Sequence, residues 1–177
     1  MRRFKVPIKD EERVVNDVEK SYRKTFDRAV NLLTYKPRSV GELRERLLEK
    51  KWTNREIVDR VIEKLSEYNY LDDNEYAYNL SVSKLRASNI GRRRIEQELQ
   101  RKNLDPQTIE SALERAFEET SENDLIERAV EKRIRIKGFP ETPNEMKNFF
   151  GYLVRQGFEY DLIRDRMEAL RNSNGET

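Results

Sequence analysis

The stretch SVGELRERLLEKKWTNREIVDRVIEKLS, residues 39–66, contains the pattern that decides the fold. Its first half carries three leucines spaced to lie on one face of a helix, which turns once in about 3.6 residues: Leu43, Leu47 and Leu48. Its second half has four aliphatic residues at helical spacing: Ile57, Val61, Ile62 and Leu65. The stretch therefore predicts two short amphipathic helices, joined by a tight corner at Lys51 and Trp52.

Capping residues mark where both predicted helices begin. Ser39 can cap the first helix, because a serine oxygen accepts a hydrogen bond from a backbone N–H of the first turn. Thr53 is followed three residues later by Glu56, which is the spacing of a capping box. We therefore expect the second helix to open at Thr53.

The same two-helix pattern occurs three times. A shift of 52 positions pairs six apolar residues with another apolar residue, and we call all the residues of this series the anchors: Leu43 with Ile95, Leu47 with Leu99, Trp52 with Leu104, Ile57 with Ile109, Val61 with Leu113 and Leu65 with Phe117. A further shift of 54 positions continues the series: Ile95 with Phe149, Leu99 with Leu153, Leu104 with Phe158, Ile109 with Ile163 and Leu113 with Met167. The corner residue is Lys51, Asn103 and Gly157 in turn, and Asn and Gly tolerate the left-handed conformation that ends a helix. Asp105 and Pro106 supply the cap and first turn of the second copy.

A further helix is expected before each copy. The pattern is helical over residues 10–34, and Pro37 would end that helix. The equivalent segments are 74–86 and 124–137, and small residues at comparable positions would allow close approach of this helix to the other two: Ala29, Ala77 and Ala129. We therefore predict an all-α fold of three tandem three-helix repeats.

The repeats suggest boundaries along the chain. The predicted parts are a basic N-terminal arm with a leading helix, three repeats and a tail: residues 1–25, 26–72, 73–122, 123–172 and 173–177. The arm is expected to be unordered, since nothing in its first nine residues has a buried face. The chain is 36% hydrophobic and 40% charged, which fits thin cores in an elongated array rather than one globule.

Several classes of function lack their usual residues. The 177 residues include no Cys and no His, and the six glycines form no phosphate-binding loop. We therefore expect a protein that is not an enzyme and that uses no cofactor or metal. No apolar run is long enough to span a bilayer, so we expect no membrane contact and a cytoplasmic location.

The net charge of +2 conceals an uneven distribution. Residues 84–102 and 128–137 are mostly basic, and the candidate partner- or DNA-binding residues come from them: Lys84, Arg86, Arg92, Arg93, Arg94, Arg101, Lys102, Arg133, Arg135 and Lys137. Residues 103–127 carry eight carboxylates against the single Arg115. Basic surfaces suit nucleic-acid phosphates, and acidic ones suit a basic protein partner.

Solvation is the alternative explanation for each charge cluster. Many charges would simply form pairs one helical turn apart, such as Glu42 with Arg46. Arg92, Arg93 and Arg94 differ, because consecutive residues lie about 100° apart around a helix, so the three point in different directions and cannot all find acidic neighbours one turn away. We therefore expect this triplet to contact phosphates or a partner.

The stretch 68–77 has carboxylates and tyrosines close together. Asp73 or Asn74 is expected to cap the following helix, since no further oxygen ligands are spaced for a metal ion. The tyrosines could stack on bases, but we expect them to fill a corner between repeats with their hydroxyls reaching solvent.

Several of these motifs together resemble the RecX family of recombination regulators. The resemblance covers about residues 26–170 and depends on these elements: Leu43 and Leu47 with the Lys50-Lys51 corner, Tyr70-Leu71-Asp72-Asp73 before Tyr76-Ala77, and Gly91-Arg92-Arg93-Arg94-Ile95 with Leu99. The family pattern usually has Gly at three positions where this chain differs: Lys51, Asn69 and Asn103. The third repeat matches more weakly.

The resemblance implies a crescent of three helical repeats that binds the RecA filament on DNA within its helical groove and restrains its activities. Single- and double-stranded DNA would be contacted through phosphates. We expect a monomer, because no helix has a second apolar face. One alternative is a helical DNA-binding module acting without RecA, with residues 91–117 entering the major groove. Another is a repeat scaffold with an unrelated partner.

Overall fold

The structure, a computed structural model, describes residues 8–175 and the side chains of residues 8–172. Most of the predicted basic arm and part of the tail therefore lie outside the described residues. Within the described range there is no β-strand, and the chain forms a short 3₁₀ helix at Asp10–Glu12 followed by nine α-helices. These are α1 (Val18–Tyr35), α2 (Val40–Leu48), α3 (Arg55–Glu67), α4 (Asp73–Ala87), α5 (Arg92–Gln100), α6 (Pro106–Glu118), α7 (Glu122–Lys137), α8 (Pro143–Gln156) and α9 (Tyr160–Gly175).

The predicted all-α fold of three three-helix repeats is confirmed. The chain forms two compact units: the first contains the residues up to Tyr76 with Lys102–Leu104, and the second contains Ala77–Arg101 with the residues from Asp105 onward. In the first unit α1 packs against α2 and α3. In the second, α5 packs against α6, and α7, α8 and α9 pack together.

The predicted apolar anchors form the cores of both units. Except for Trp52 and Phe117, which are half-buried, every anchor is buried. The three alanines predicted to allow close helix approach are fully buried: Ala29, Ala77 and Ala129. Burying each large aliphatic side chain stabilises a unit by roughly 1.5–3 kcal/mol, so this periodic pattern accounts for most of the packing.

Two predicted helix starts are wrong by one residue. The side chain of Asn54, and not that of Thr53, caps α3 by accepting a hydrogen bond from the Ile57 N–H at 2.9 Å. Thr53 is instead buried, and its hydroxyl accepts a hydrogen bond from Thr25 at 3.0 Å. Asp72, rather than Asp73 or Asn74, accepts the Glu75 N–H at the start of α4. The caps at Ser39 and Asp105 are confirmed.

The corners between the second and third helices are made in different ways. Asn103 and Gly157 adopt the predicted left-handed conformation, with φ of 55° and 89°. Lys51 is not among the residues of positive φ. The first corner therefore needs another source of stabilisation.

Arg13 supplies it. Its side chain is only 7% exposed, and its guanidinium donates hydrogen bonds of 3.1–3.2 Å to three corner carbonyls: those of Leu48, Lys50 and Thr53. The neighbouring Val14 N–H donates to the Lys51 carbonyl at 2.8 Å. Residues 13–17 are not helical, so the helix predicted from residue 10 begins only at Val18.

Replacing Arg13 with alanine is expected to lower the free energy of unfolding by about 2 kcal/mol, because buried carbonyls would lose a charged donor. Trp52, the only tryptophan, lies at this corner, so its fluorescence during urea unfolding reports the loss. Arg23→Ala is the control: that side chain is 77% exposed, and its loss should change stability by less than about 0.5 kcal/mol. Equal effects of the two substitutions would contradict a special role for Arg13.

Candidate nucleic-acid and partner interface

A polar joint lies in the first unit, where the start of α2 meets residues 102–104. The Ser39 hydroxyl donates to the Lys102 carbonyl, and the Val40 N–H donates to the Asp73 carboxylate at 2.8 Å. The Glu42 carboxylate accepts from the Lys102 ammonium at 2.9 Å and from the Tyr76 hydroxyl at 3.1 Å. We call this the first joint.

An equivalent joint lies in the second unit, where the start of α5 meets residues 155–158. The Gly91 N–H donates to the Gln156 carbonyl at 2.9 Å, and the Arg93 N–H donates to the Gly157 carbonyl at 3.2 Å. The Arg92 N–H donates to the Glu122 carboxylate at 3.1 Å, as Val40 does to Asp73 in the first joint. We call this the second joint.

The two joints differ in charge at matching positions. Glu42 of the first joint corresponds to Arg94 of the second, and Lys102 corresponds to Gln156. The Arg94 guanidinium donates to the Arg155 carbonyl at 3.0 Å and approaches the Gln156 side-chain oxygen at 3.5 Å. The first joint therefore contains a closed ion pair, whereas the second places an arginine beside neutral acceptors.

The surroundings in the first joint also shift the pKa values of Glu42 and Tyr76. Burial raises the pKa of the Glu42 carboxyl, but the hydrogen bonds from Lys102 and Tyr76 and the charges of Lys102 and Lys36 together outweigh it, and the net pKa lies below its ordinary value of 4.5. Burial, together with the charge of Glu42, raises the pKa of the Tyr76 hydroxyl well above its ordinary range. At neutral pH this joint thus holds an ionised carboxylate between a cation and a neutral phenol.

The arginine triplet finds partners that local helix geometry did not predict. The Arg92 guanidinium pairs with Glu110 of α6 at 2.7 Å, and Arg93 pairs with Glu159 at 2.7 Å. These carboxylates come from distant parts of the chain and not from one helical turn away, so helix spacing alone did not indicate them. That the triplet contacts phosphates or a partner stays a prediction. Arg93 remains 56% exposed, whereas Arg92 is 28% exposed and its guanidinium lies 5.8 Å from the centroid of the Phe117 ring.

Three other candidates are also engaged internally. Lys84 pairs with Glu98 of α5, and Lys102 belongs to the first joint. The Arg133 guanidinium lies 4.7 Å from the centroid of the Tyr152 ring. Likewise Arg46 pairs with Glu49, not with Glu42 as expected. In each case the sequence showed the charge but not the partner.

The remaining candidates are exposed and lack an ion pair with any described residue. Four exposed residues of the second unit have no ion-pair partner within the part of the chain that the structure describes: Arg86, Arg101, Arg135 and Lys137. Exposed carboxylates lie on another helix of the same unit, α6: Glu110, Glu114 and Glu118. The acidic segment therefore forms α6 and the first turns of α7, whereas the basic segments form the end of α4, α5 and the rest of α7.

The tyrosines of residues 68–78 do not behave as one group. Tyr68 and Tyr70 are 54% and 66% exposed, so the expectation that they fill a corner between repeats is wrong. Tyr76 donates to Glu42 rather than reaching solvent. Arg115 lies over the Tyr78 ring, with 3.6 Å from its guanidinium carbon to the ring centroid.

Two further observations concern residues 8–175. No group of three or more acidic side chains there is arranged to hold a metal ion. No helix there is long and apolar enough to cross a membrane.

The fold and its charged faces define an all-α protein of tandem three-helix repeats. A sequence model of the first three-helix domain of RecX matches residues 26–65, and one of the second domain matches residues 72–113. The regulatory protein RecX of Finegoldia magna is 35% identical over 144 residues, which cover 81% of this chain and 70% of that protein. The RecX of Trichlorobacter lovleyi is 32% identical, with 79% of this chain and 91% of that protein covered. The chain belongs to the RecX family of regulatory proteins.

Some relatives are longer than this chain, and a solved structure has a similar fold. The chain matches only 58% of the length of the Bacillus subtilis RecX, at 29% identity, so some relatives are considerably longer. The crystal structure of RecX from Lactobacillus salivarius superimposes with a TM-score of 0.76 at 22% identity. That match covers 86% of this chain and 98% of the other and supports the fold.

Proposed function

We propose that this chain binds the RecA nucleoprotein filament, along its helical groove, and restrains filament growth, ATP hydrolysis and strand exchange. The observation that carries the proposal is membership of the RecX family of regulatory proteins, together with the motifs that resemble its RecA-regulating members. The protein would act in the cytoplasm, in homologous recombination, DNA repair and the SOS response.

The proposed mechanism requires no chemistry by this chain. A protein lying in the groove of a filament meets both DNA phosphates and protein surface. The exposed cations of the second unit suit the phosphates of single- or double-stranded DNA, and the exposed carboxylates of α6 suit basic protein surface. Bound as a monomer, the chain would bridge neighbouring RecA subunits or occlude the growing end of the filament.

ATP hydrolysis by RecA on single-stranded DNA tests the proposal. The protein is titrated far below the RecA concentration, where we expect turnover to fall because each bound molecule affects a filament of many subunits. Unchanged turnover at equal amounts would reject regulation of RecA. A sequence-specific footprint on naked duplex DNA would then favour the helical DNA-binding module acting without RecA.

A double substitution in α7 tests the role of the exposed cations. The Arg135→Ala/Lys137→Ala variant is expected to need several-fold more protein for half-maximal loss of ATP turnover, because two phosphate contacts are removed. It is preferable to a triple alanine at residues 92–94, where internal ion pairs would also be lost. Lys20→Ala/Lys147→Ala removes the same charge from exposed positions on α1 and α8 and is the matched control. If both variants are equally weakened, net charge rather than this surface explains the effect.

A further inference from the structure

A polar concavity lies in the second unit, between the end of α4 and helices α5, α7 and α8. Its volume is about 320 Å³. Its lining includes three cations and three neutral hydrogen-bonding side chains: Lys84, Arg94, Lys132, Asn89, Tyr152 and Gln156. Since a water molecule occupies about 30 Å³ of liquid, this space can take a phosphate group with its adjoining sugar.

The three cations are held to different degrees. Arg94 is fixed by the Arg155 carbonyl at 3.0 Å, and Lys84 by Glu98, which also lines the concavity. Lys132 is exposed and has no ion-pair partner among residues 8–172. The lining therefore keeps an excess of positive charge, and it offers a ligand one donor that is held in place, Arg94, and one exposed donor without an ion pair, Lys132.

The first joint shows that the fold does not require a positive charge at the position of Arg94. There the position of Arg94 is taken by Glu42, and that of Gln156 by Lys102, and the two form an ion pair. The same backbone arrangement is thus compatible with internal neutralisation. The second joint lacks that pair, which leaves the Arg94 guanidinium at the wall of the concavity without a carboxylate.

We propose that this concavity binds one phosphodiester group of a nucleic-acid backbone, with Arg94 as the fixed cation and Lys132 as the cation that closes on it. A phosphodiester offers several acceptor oxygens and one negative charge, which fits a lining of two available cations with the uncharged donors of Asn89 and Tyr152. The inference rests on the DNA contact in the proposed function and identifies the residues that make it.

Binding of a fluorescent single-stranded oligonucleotide, measured by anisotropy across a salt series, tests the proposal. Lys132→Ala is expected to weaken binding by about 5- to 10-fold at low salt and to reduce the slope of log K against log salt by about 1. Lys147→Ala removes an equal charge from α8, outside the concavity, and should change affinity by less than twofold. Glu98→Gln should strengthen binding, because Lys84 would be released from its partner.

Two outcomes would overturn the proposal: equal effects of the Lys132 and Lys147 substitutions, or no salt-dependent affinity of the unaltered protein for the oligonucleotide. A free mononucleotide that competes as well as the oligonucleotide, at equal phosphate concentration, would also overturn it, because the ligand would then not be a backbone. RecA-dependent ATP hydrolysis is measured on the same proteins. Restraint of RecA that persists when Lys132 has no special effect would reject the concavity and leave the proposed function intact.

Discussion

Replacing Gly91 with alanine is expected to lower the free energy of unfolding of the second unit by about 4 kcal/mol, through overpacking and the loss of backbone hydrogen bonds. An added Cβ would lie 2.4 Å from the Gly157 carbonyl oxygen and 2.6 Å from the Phe158 nitrogen. These are backbone atoms, which cannot rotate away as a side chain can. Separation of the two segments would also break the 2.9 Å hydrogen bond from the Gly91 N–H to the Gln156 carbonyl.

Two other glycines of the second unit provide controls for this experiment. Gly91 has an ordinary φ of −82°, which alanine can also adopt. Its substitution therefore tests whether there is room for a Cβ, without added backbone strain. Gly138 has a φ of 80° and a ψ of 171°, a backbone region open essentially to glycine alone, with open space around it, and alanine there should cost only the conformational energy, about 1–3 kcal/mol. Gly151 lies within α8, where alanine should stabilise the helix by about 0.5–1 kcal/mol.

Urea unfolding followed by far-UV circular dichroism measures all three variants. The expected order of stability is Gly151→Ala above the unaltered protein, then Gly138→Ala, then Gly91→Ala. A Gly91 variant as stable as the Gly138 variant would mean that the two segments can separate at little cost. The close approach at the second joint would then not be needed for folding.

The helices and cores could be predicted from the sequence because their signal is local and repeated. Apolar residues such as Leu43, Ile95 and Phe149 recur at helical spacing, and each repeat supports the interpretation of the others. Their burial depends on the face of the helix rather than on distant partners. For that reason the nine helices and nearly all the anchors agreed with prediction in the described residues.

The joints and the first corner could not be predicted, because their partners are far apart in sequence. Arg13 binds carbonyls 35 to 40 positions away, and Arg93 pairs with a carboxylate 66 positions away. Helical spacing carries no information about such pairs. The repeat alignment did contain one usable signal: it places Glu42 opposite Arg94, a reversal of charge at matching positions.

The candidate interface was predictable only as a region. The sequence identified ten basic residues, but it could not separate those with internal partners from exposed ones such as Arg135 and Lys137. It also gave no reason to select Lys132 or Tyr152, because a concavity depends on how α5, α7 and α8 pack. The sequence shows which residues are charged, but which of them are exposed depends on how the helices pack.

Replacing Glu42 with alanine is expected to lower the free energy of unfolding of the first unit by about 2–3 kcal/mol. The side chains of Glu42 and Lys102 are only 18% and 27% exposed, so the remaining ammonium would be left poorly solvated without its partner. The Tyr76 hydroxyl would also lose its acceptor. Trp52 fluorescence during urea unfolding measures the loss in this unit.

This stabilisation should depend on pH in a defined direction. Because the pKa of Glu42 is lower in the folded protein than its ordinary value of 4.5, the unfolded chain binds this proton more readily. The contribution is therefore fully present above pH 4.5 and is lost as pH falls through the folded pKa. The difference in stability between the unaltered protein and Glu42→Gln should narrow in the same range of pH.

A double substitution separates the value of the ion pair from the penalty of leaving one charge alone. Glu42→Gln/Lys102→Met removes both charges, so it should recover much of the stability that Glu42→Ala loses. Asp59→Asn is the control for an exposed pair, since Asp59 and Arg44 are 57% and 44% exposed and the pair contributes less than about 1 kcal/mol. If the double variant were as unstable as Glu42→Ala, the attraction within the pair would itself be stabilising. Recovery would instead mean that most of the loss in Glu42→Ala comes from the unpartnered Lys102 ammonium, and that the attraction within the pair contributes little.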